Sequence, residues 1–189
     1  LGDKTIIIDP YESKVTALAD IILITHPHWD HLSSNDINKF NNSETKIVAD
    51  AESGSKIDGN VQIAYIDQEI KIKGISIKPV RAYNISNEKP HLKDYNWLGY
   101  IISDGNVSIY HAGDTDFIPE MKNHKVDIAI LPVSGAYVMN AKEAVKAIET
   151  IKPKIAIPMH YDPKLNHYYK IFPGVGTLED AKYFCDEIR

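Results

Sequence analysis

The sequence predicts a mixed α/β (α+β) fold in which helices cover β-sheets. Three observations carry that expectation. Short apolar runs recur between turn residues, two pairs of them have the spacing of hairpins, and strong helical periodicity appears only in two later segments that alternate with buried strands.

Each element has its own signal. Ile6-Ile7-Ile8 is a short strand stopped by Asp9-Pro10. Ile21-Ile22-Leu23-Ile24-Thr25 is an apolar β-type run that leads straight into His26. A weaker helix begins at Ser33 or Ser34, and strands come next at Ile47-Val48-Ala49 and Val61-Gln62-Ile63-Ala64-Tyr65. Ile70-Lys71-Ile72 and Ile75-Ser76-Ile77 alternate apolar and polar residues around Lys73-Gly74, the pattern of a half-buried hairpin. Residues 84–95 are polar, contain Pro90 and read as a loop. Asp104-Gly105-Asn106 sits between two further runs, Leu98–Ser103 and Val107-Ser108-Ile109-Tyr110, and marks a second hairpin. Ile128-Ala129-Ile130-Leu131 and Ile155-Ala156-Ile157 each run into a proline as buried strands. After Asn140, a plausible N-cap, the residues Ala141, Ala144, Val145, Ile148 and Ile151 make a helical stripe. Thr177 followed by Asp180 has capping-box spacing and opens a helix whose stripe is Leu178, Ala181, Phe184, Cys185 and Ile188.

The 189 residues suit one domain, 1–189. Hydrophobic residues at 43% and charged residues at 25% are ordinary for a globular chain. A net charge of −5 gives no basic footprint, so no nucleic-acid partner is expected. No run of about 18 apolar residues is present, so no membrane span is expected. Cys185 is the one cysteine, which excludes an intrachain disulfide and agrees with a reducing, cytoplasmic setting. No signal peptide is visible at the abrupt opening Leu1-Gly2-Asp3-Lys4.

The chemistry concentrates in His26-Pro27-His28-Trp29-Asp30-His31, at the end of a strand. Imidazole nitrogen and carboxylate oxygen are the donors that zinc and similar divalent ions take. His26 precedes proline and is biased to extended backbone. His26 and His28 then point the same way and suit one ion, while Asp30 and His31 reach a second position as the chain turns. Two later strands end in the same fashion. Val107-Ser108-Ile109-Tyr110 leads into His111-Ala112-Gly113-Asp114-Thr115-Asp116, where Asp114 is placed to bridge two cations, and Ile155-Ala156-Ile157-Pro158-Met159 leads into His160.

With those residues in view, the chain resembles the metallo-β-lactamase superfamily of metal-dependent hydrolases. The HxHxDH motif stands as His26 to His31, the aspartate of the GDT context is Asp114, and the late histidine is His160. Ile8-Asp9-Pro10-Tyr11 and Pro158-Met159-His160-Tyr161 are similar to the branch containing ascorbate-6-phosphate lactonase and N-acyl-phosphatidylethanolamine phospholipase D. The resemblance implies a four-layer αββα sandwich with the site at one edge of two packed sheets, here without the opening strand and short of a closing strand. It also implies a third histidine for the first ion. Val80-Arg81-Ala82-Tyr83-Asn84 occupies that place, with asparagine where histidine is expected. Three alternatives stand: His91 takes the role if the loop folds back, Asn84 ligates through its amide oxygen, or the first ion is loosely held. His91 is the favoured candidate.

The implied activity is hydrolysis of an ester, lactone or phosphodiester in a small-molecule substrate by a metal-bound hydroxide. Asp30 is the catalytic residue that orients the nucleophile. Two zinc ions are expected, with manganese or iron as substitutes, and an oligomer is compatible with the sequence. His28 stands where redox diiron relatives usually carry glutamate, which favours hydrolysis. A metal-binding protein without turnover is the alternative, and an RNA-processing nuclease is the lesser one, since no long basic insertion is present. Among other residues, Ser134-Gly135-Ala136-Tyr137 is a candidate pocket loop, and Tyr83, Trp97 and Tyr161 are candidates for stacking. Trp29 is expected beneath the site, His111 close to it without ligating, His124 and His167 at the surface, and Cys185 in the core.

Overall fold

The computed structural model of the protein describes residues 1–161 and 176–188. The chain runs β1 (Ile6–Ile8), β2 (Ile21–Ile24), α1 (Ser34–Phe40), β3 (Lys46–Ala49), α2 (Ala51–Gly54), β4 (Val61–Ile63), β5 (Ile70–Ile72) and β6 (Ile75–Arg81). It continues through β7 (Leu98–Ser103), β8 (Ser108–His111), β9 (Ile128–Pro132), α3 (Ala141–Ile151), β10 (Ile155–Met159) and α4 (Leu178–Glu187). Strands β1-β2-β3-β4 form one sheet, parallel throughout, and β10-β9-β8-β7-β6-β5 form the other. In the second sheet β5 to β8 pair antiparallel, as the two hairpin signals predict, while β8, β9 and β10 are mutually parallel.

Strand alternation builds the layers. Ile21 and Leu23 of β2 face the second sheet and meet Ile75, Ile77, Leu98, Tyr100 and Ile102. Ile22 and Ile24 face the other way and pack on Ile37 and Phe40 of α1. On the far side of the second sheet, Tyr110, Ala129 and Leu131 pack against Ala144, Ala147 and Ile151 of α3 and Phe184 of α4. The order is therefore helix, sheet, sheet, helix. All four residues of β2 are fully buried, which explains why that strand reads as an unbroken apolar run rather than an alternating one.

Local chemistry sets the ends of the helices. Ser33 caps α1, and Asn140 with Glu143 and Thr177 with Asp180 form complete capping boxes. Two glycines allow a close approach of backbone to backbone between β7 and the turn after β8. A Cβ on Gly99 would lie 2.8 Å from the Ala112 carbonyl oxygen, and one on Gly113, at φ +63, would lie 2.6 Å from that of Leu98. Because both positions lack a side chain, the turn presses onto β7 and Asp114 is carried inward.

β1, β2 and β3 run parallel in the first sheet, and β8, β9 and β10 run parallel in the second. The C-terminal end of each parallel group opens onto the same region, the usual place for a ligand in sheets of this kind. The sheets are tied there: the Leu98 amide donates to the Thr25 carbonyl at 2.9 Å, and the Tyr100 hydroxyl to the Ile24 carbonyl at 2.7 Å.

Candidate metal centre

Asp9 follows β1, His26 follows β2, Asp114 follows β8, Ser134 follows β9 and His160 follows β10. His28, Asp30 and His31 lie in the turn after His26, and His91 lies in the 84–95 loop. Donor atoms of His26, His28 and His91 form one group within 4.8 Å of one another, and those of Asp30, His31 and His160 form a second. Asp114 lies between the two groups. Its Oδ2 is 3.3 Å from His91 Nε2, 3.3 Å from His160 Nε2 and 4.0 Å from His26 Nε2, and its Oδ1 is 3.4 Å from His31 Nε2. His26 Nε2 and His28 Nδ1 are 3.0 Å apart, and Asp30 Oδ2 is 3.8 Å from His31 Nε2. Thus every residue expected from the sequence as a ligand is brought into one place, including His91, which the loop does fold back.

What holds these rings explains their direction. His26 Nδ1 meets the Thr25 hydroxyl at 2.9 Å, His31 Nδ1 meets Asp9 Oδ2 at 2.8 Å, and His160 Nδ1 meets the Ser134 hydroxyl at 3.1 Å. His91 Nδ1 lies 3.0 Å from Asn84 Oδ1 and 3.1 Å from the Tyr137 carbonyl oxygen. In each of these rings the outward nitrogen is occupied, so Nε2 is left to face the centre. Asp9 is close enough to be mistaken for a ligand, since it groups with His26 and His31. Its two oxygens are already taken, Oδ1 by the Thr25 amide at 2.7 Å and Oδ2 by the Thr25 hydroxyl at 2.6 Å and by His31. It is a positioning residue.

Asn84 is also a positioning residue. Its Oδ1 accepts from the backbone amide and the ring of His91, both at 3.0 Å, while its Nδ2 donates to Asp116 Oδ1 at 3.2 Å and to the Tyr137 carbonyl at 2.7 Å. Asp116 in turn accepts from the Ile85 amide and from Lys89 Nζ, at 2.9 and 2.7 Å. A buried amide with both ends committed has no oxygen lone pair aimed at a cation. The loop is fastened through Asn84, and His91 is the residue it delivers.

The electrostatics point to a place for positive charge. Burial opposes ionisation of Asp114, yet His31 and His160 hold its carboxyl well below the usual range. Burial likewise disfavours charge on His31, but Asp114 and Asp9 carry it up to about 10. His160 is raised against burial, again by Asp114. Burial lowers His26 well below the ordinary imidazole value and lowers His28 as well. Six buried side-chain atoms among the described residues have no hydrogen-bond partner, and two of them, His91 Nε2 and Asp114 Oδ1, lie at the centre. Unmet donors and acceptors of this kind are costly unless something else satisfies them. Converging imidazole nitrogens, carboxylates and orphaned lone pairs fit divalent cations.

A profile of the β-lactamase superfamily domain matches residues 1–160. The chain belongs to this superfamily. As a β-lactamase superfamily chain it has relatives among the UPF0173 metal-dependent hydrolases. It is 34% identical to one from Thermococcus onnurineus, with 86% of this chain and 79% of that one covered. It is 36% identical to one from Staphylothermus marinus, covering 85% and 75%. A solved structure from Parabacteroides distasonis, described as a metal-dependent hydrolase, superposes with a TM-score of 0.78 at 36% identity, over 91% of this chain and 82% of that one. The superfamily's metallo-β-lactamase fold is the four-layer arrangement seen here.

The structure corrects several expectations. Trp29 is not beneath the site: it is 65% exposed and meets Tyr11 edge-on, with ring centroids 5.3 Å apart. The ring packed beside the centre is Trp97, buried against His26 and His28 at 5.1 and 4.8 Å. His124 is buried beside Tyr110 rather than at the surface, and Cys185 is exposed rather than in the core. His111 accepts from the Gly113 amide at 3.3 Å and joins neither group. His167 lies outside the described residues. Sequence reasoning misses Asp9, Thr25 and Ser134 as partners of the histidines. The strand-end rule that finds His26 and His160 also finds Asp9, and it is the signal that could have exposed that residue.

Proposed function

We propose that this chain is a hydrolase using a pair of divalent cations, zinc by preference, to cleave an ester, lactone or phosphodiester in a small molecule. The carrying observation is the convergence of two donor groups on Asp114, with the outward nitrogens of His26, His31, His91 and His160 each tied back. His26, His28 and His91 would hold the first cation, Asp30, His31 and His160 the second, and Asp114 both. A donor set of imidazole and carboxylate without thiolate suits zinc and also admits manganese or iron. When bound, the cations supply Lewis acidity and bring water within reach of deprotonation near neutral pH.

The chain's own residues supply the rest. Asp30, whose side chain is 31% exposed, is the most open carboxylate at the centre and can accept a hydrogen bond from the attacking water and fix its direction. Asp9 and Asn84, by accepting from the Nδ1 positions of His31 and His91, keep a proton on that side of each ring, so that Nε2 is the nitrogen a bound cation would take in place of a proton. Trp97 walls one side against solvent. The test is elemental analysis of purified protein joined to a panel of lactone, ester and phosphodiester substrates. Two equivalents of metal and metal-dependent turnover are expected. Bound metal with no hydrolysis across the panel would indicate a binding protein and overturn the proposal.

A further inference from the structure

Two cavities lie side by side on the Trp97 flank of the centre. The inner one, about 380 Å³, is walled by Pro27, His28, Glu52, Lys56, Tyr95 and Trp97. The outer one, about 400 Å³, shares Glu52 and Tyr95 and continues to Tyr65, Asn96 and Arg81. A molecule filling both would have one end against His28 and the other against Arg81.

Arg81 is the unusual member. It closes β6, it is half-buried, and its guanidinium makes no hydrogen bond or ion pair among the described residues. Of the two carboxylates that line the outer cavity, Glu52 is engaged by other partners and Asp50 through Oδ1 alone, its Oδ2 being buried without a hydrogen-bond partner. Glu52 takes Lys56 Nζ at 2.9 Å and the Trp97 indole N–H at 3.3 Å. Asp50 caps α2, its Oδ1 accepting from the amides of Glu52 and Ser53 at 2.9 and 3.1 Å, and burial pushes its carboxyl up. Removing a guanidinium from water without a counterion is unfavourable, and its planar fork matches the oxygens of a carboxylate or phosphate. Tyr65 and Tyr95, 66% and 49% exposed, offer ring faces along the same path.

We infer that the paired cavities are the recognition groove for the non-reacting end of the substrate, and that this end is an anionic oxygen group, a carboxylate or a phosphate, received by Arg81. The inference rests on the hydrolytic reading of the centre and adds the substrate's charge to it.

The test uses metal-loaded protein and matched p-nitrophenyl esters: one with a free terminal carboxylate, its methyl-capped counterpart, and one with a terminal phosphate. Expected is a kcat/KM at least about tenfold higher for a charged ester than for the capped one, as for one charge-assisted pair. The ratio should fall to about one in Arg81→Gln and recover partly in Arg81→Lys. Whichever charged ester has the larger ratio identifies the anion. A ratio near one in the unaltered protein, or a ratio kept in Arg81→Gln, overturns the inference. Metal content and Tm establish that the variant is folded. If no ester is cleaved, the hydrolytic reading is decided separately by the lactone and phosphodiester substrates. Calorimetric titration with monomethyl glutarate and with dimethyl glutarate then still reads the groove. Anion-selective binding lost in Arg81→Gln supports it, and equal binding by the two proteins overturns it.

Discussion

His28 approaches its neighbours with Nδ1, 3.0 Å from His26 Nε2, and it is the more open of the two rings. His28→Ala is therefore expected to remove a donor without opening the core: turnover falls to background while circular dichroism is unchanged. Activity persisting in metal-free buffer would falsify the mechanism. Asn84→Ala tests the other kind of residue. It removes the acceptor of the His91 ring and amide, so affinity for the first metal equivalent should fall about 10- to 100-fold, read by competition with a chromophoric chelator. If Asn84 were itself a ligand, His91→Ala would leave metal stoichiometry untouched. The contrast also shows what single residues reveal in sequence. His26 to His31 are legible because six adjacent letters carry the donors. His91 is ambiguous because its placement depends on Asp116, Lys89 and the Tyr137 carbonyl, all remote or unremarkable in the chain. Trp29 and Cys185 depart from expectation because a motif and a stripe mark a neighbourhood, not a side of it.

At the scale of elements, the strands and helices are largely readable. Each apolar run named from the sequence is a strand, and both capping boxes start helices where the letters place them. The turn after β8 shows what pattern alone does not show. Gly113 combines a left-handed φ with a Cβ position 2.6 Å from the Leu98 carbonyl. Gly113→Ala should destabilise the protein by about 2 kcal/mol or more and displace Asp114, measured as a lowered urea midpoint together with lost metal. At the other end of the same strands, Asp127 accepts from the Ser108 amide and hydroxyl and from Lys154 Nζ, at 2.9, 2.8 and 2.7 Å. Those partners, Lys154 first, lower its carboxyl to about 2. A depressed carboxylate stabilises the fold above its unfolded value and loses that contribution as pH falls through the folded one. The Tm advantage over Asp127→Asn should accordingly be full above about pH 4 and shrink toward pH 2. A difference that grew on acidification would contradict this assignment.

For the whole molecule, the two sheets and their covering helices bring distant segments to one edge. Cations that bind only the folded arrangement stabilise it by mass action, about 4 kcal/mol at a thousandfold excess over Kd. Chelation should lower Tm on the order of 10 °C, and zinc should restore it. An unchanged Tm after verified metal removal would show the centre to be uncoupled from folding. This assembly is legible in the sequence only in outline. Strand ends bearing donors can be read from the letters, but the register that sets Asp114 between two groups comes from sheet pairing and from Gly99 and Gly113.

His160 follows the last strand of the second sheet, far along the chain from His26. During synthesis the early donors leave the ribosome well before β10 can dock on β9. A nascent polypeptide halted ahead of that point would offer the hexapeptide's imidazoles to passing ions yet lack the means to retain a second one. On the proposed two-cation reading, loading of the complete pair would be a late event in the life of each molecule, and half-made chains would be spared premature reactivity.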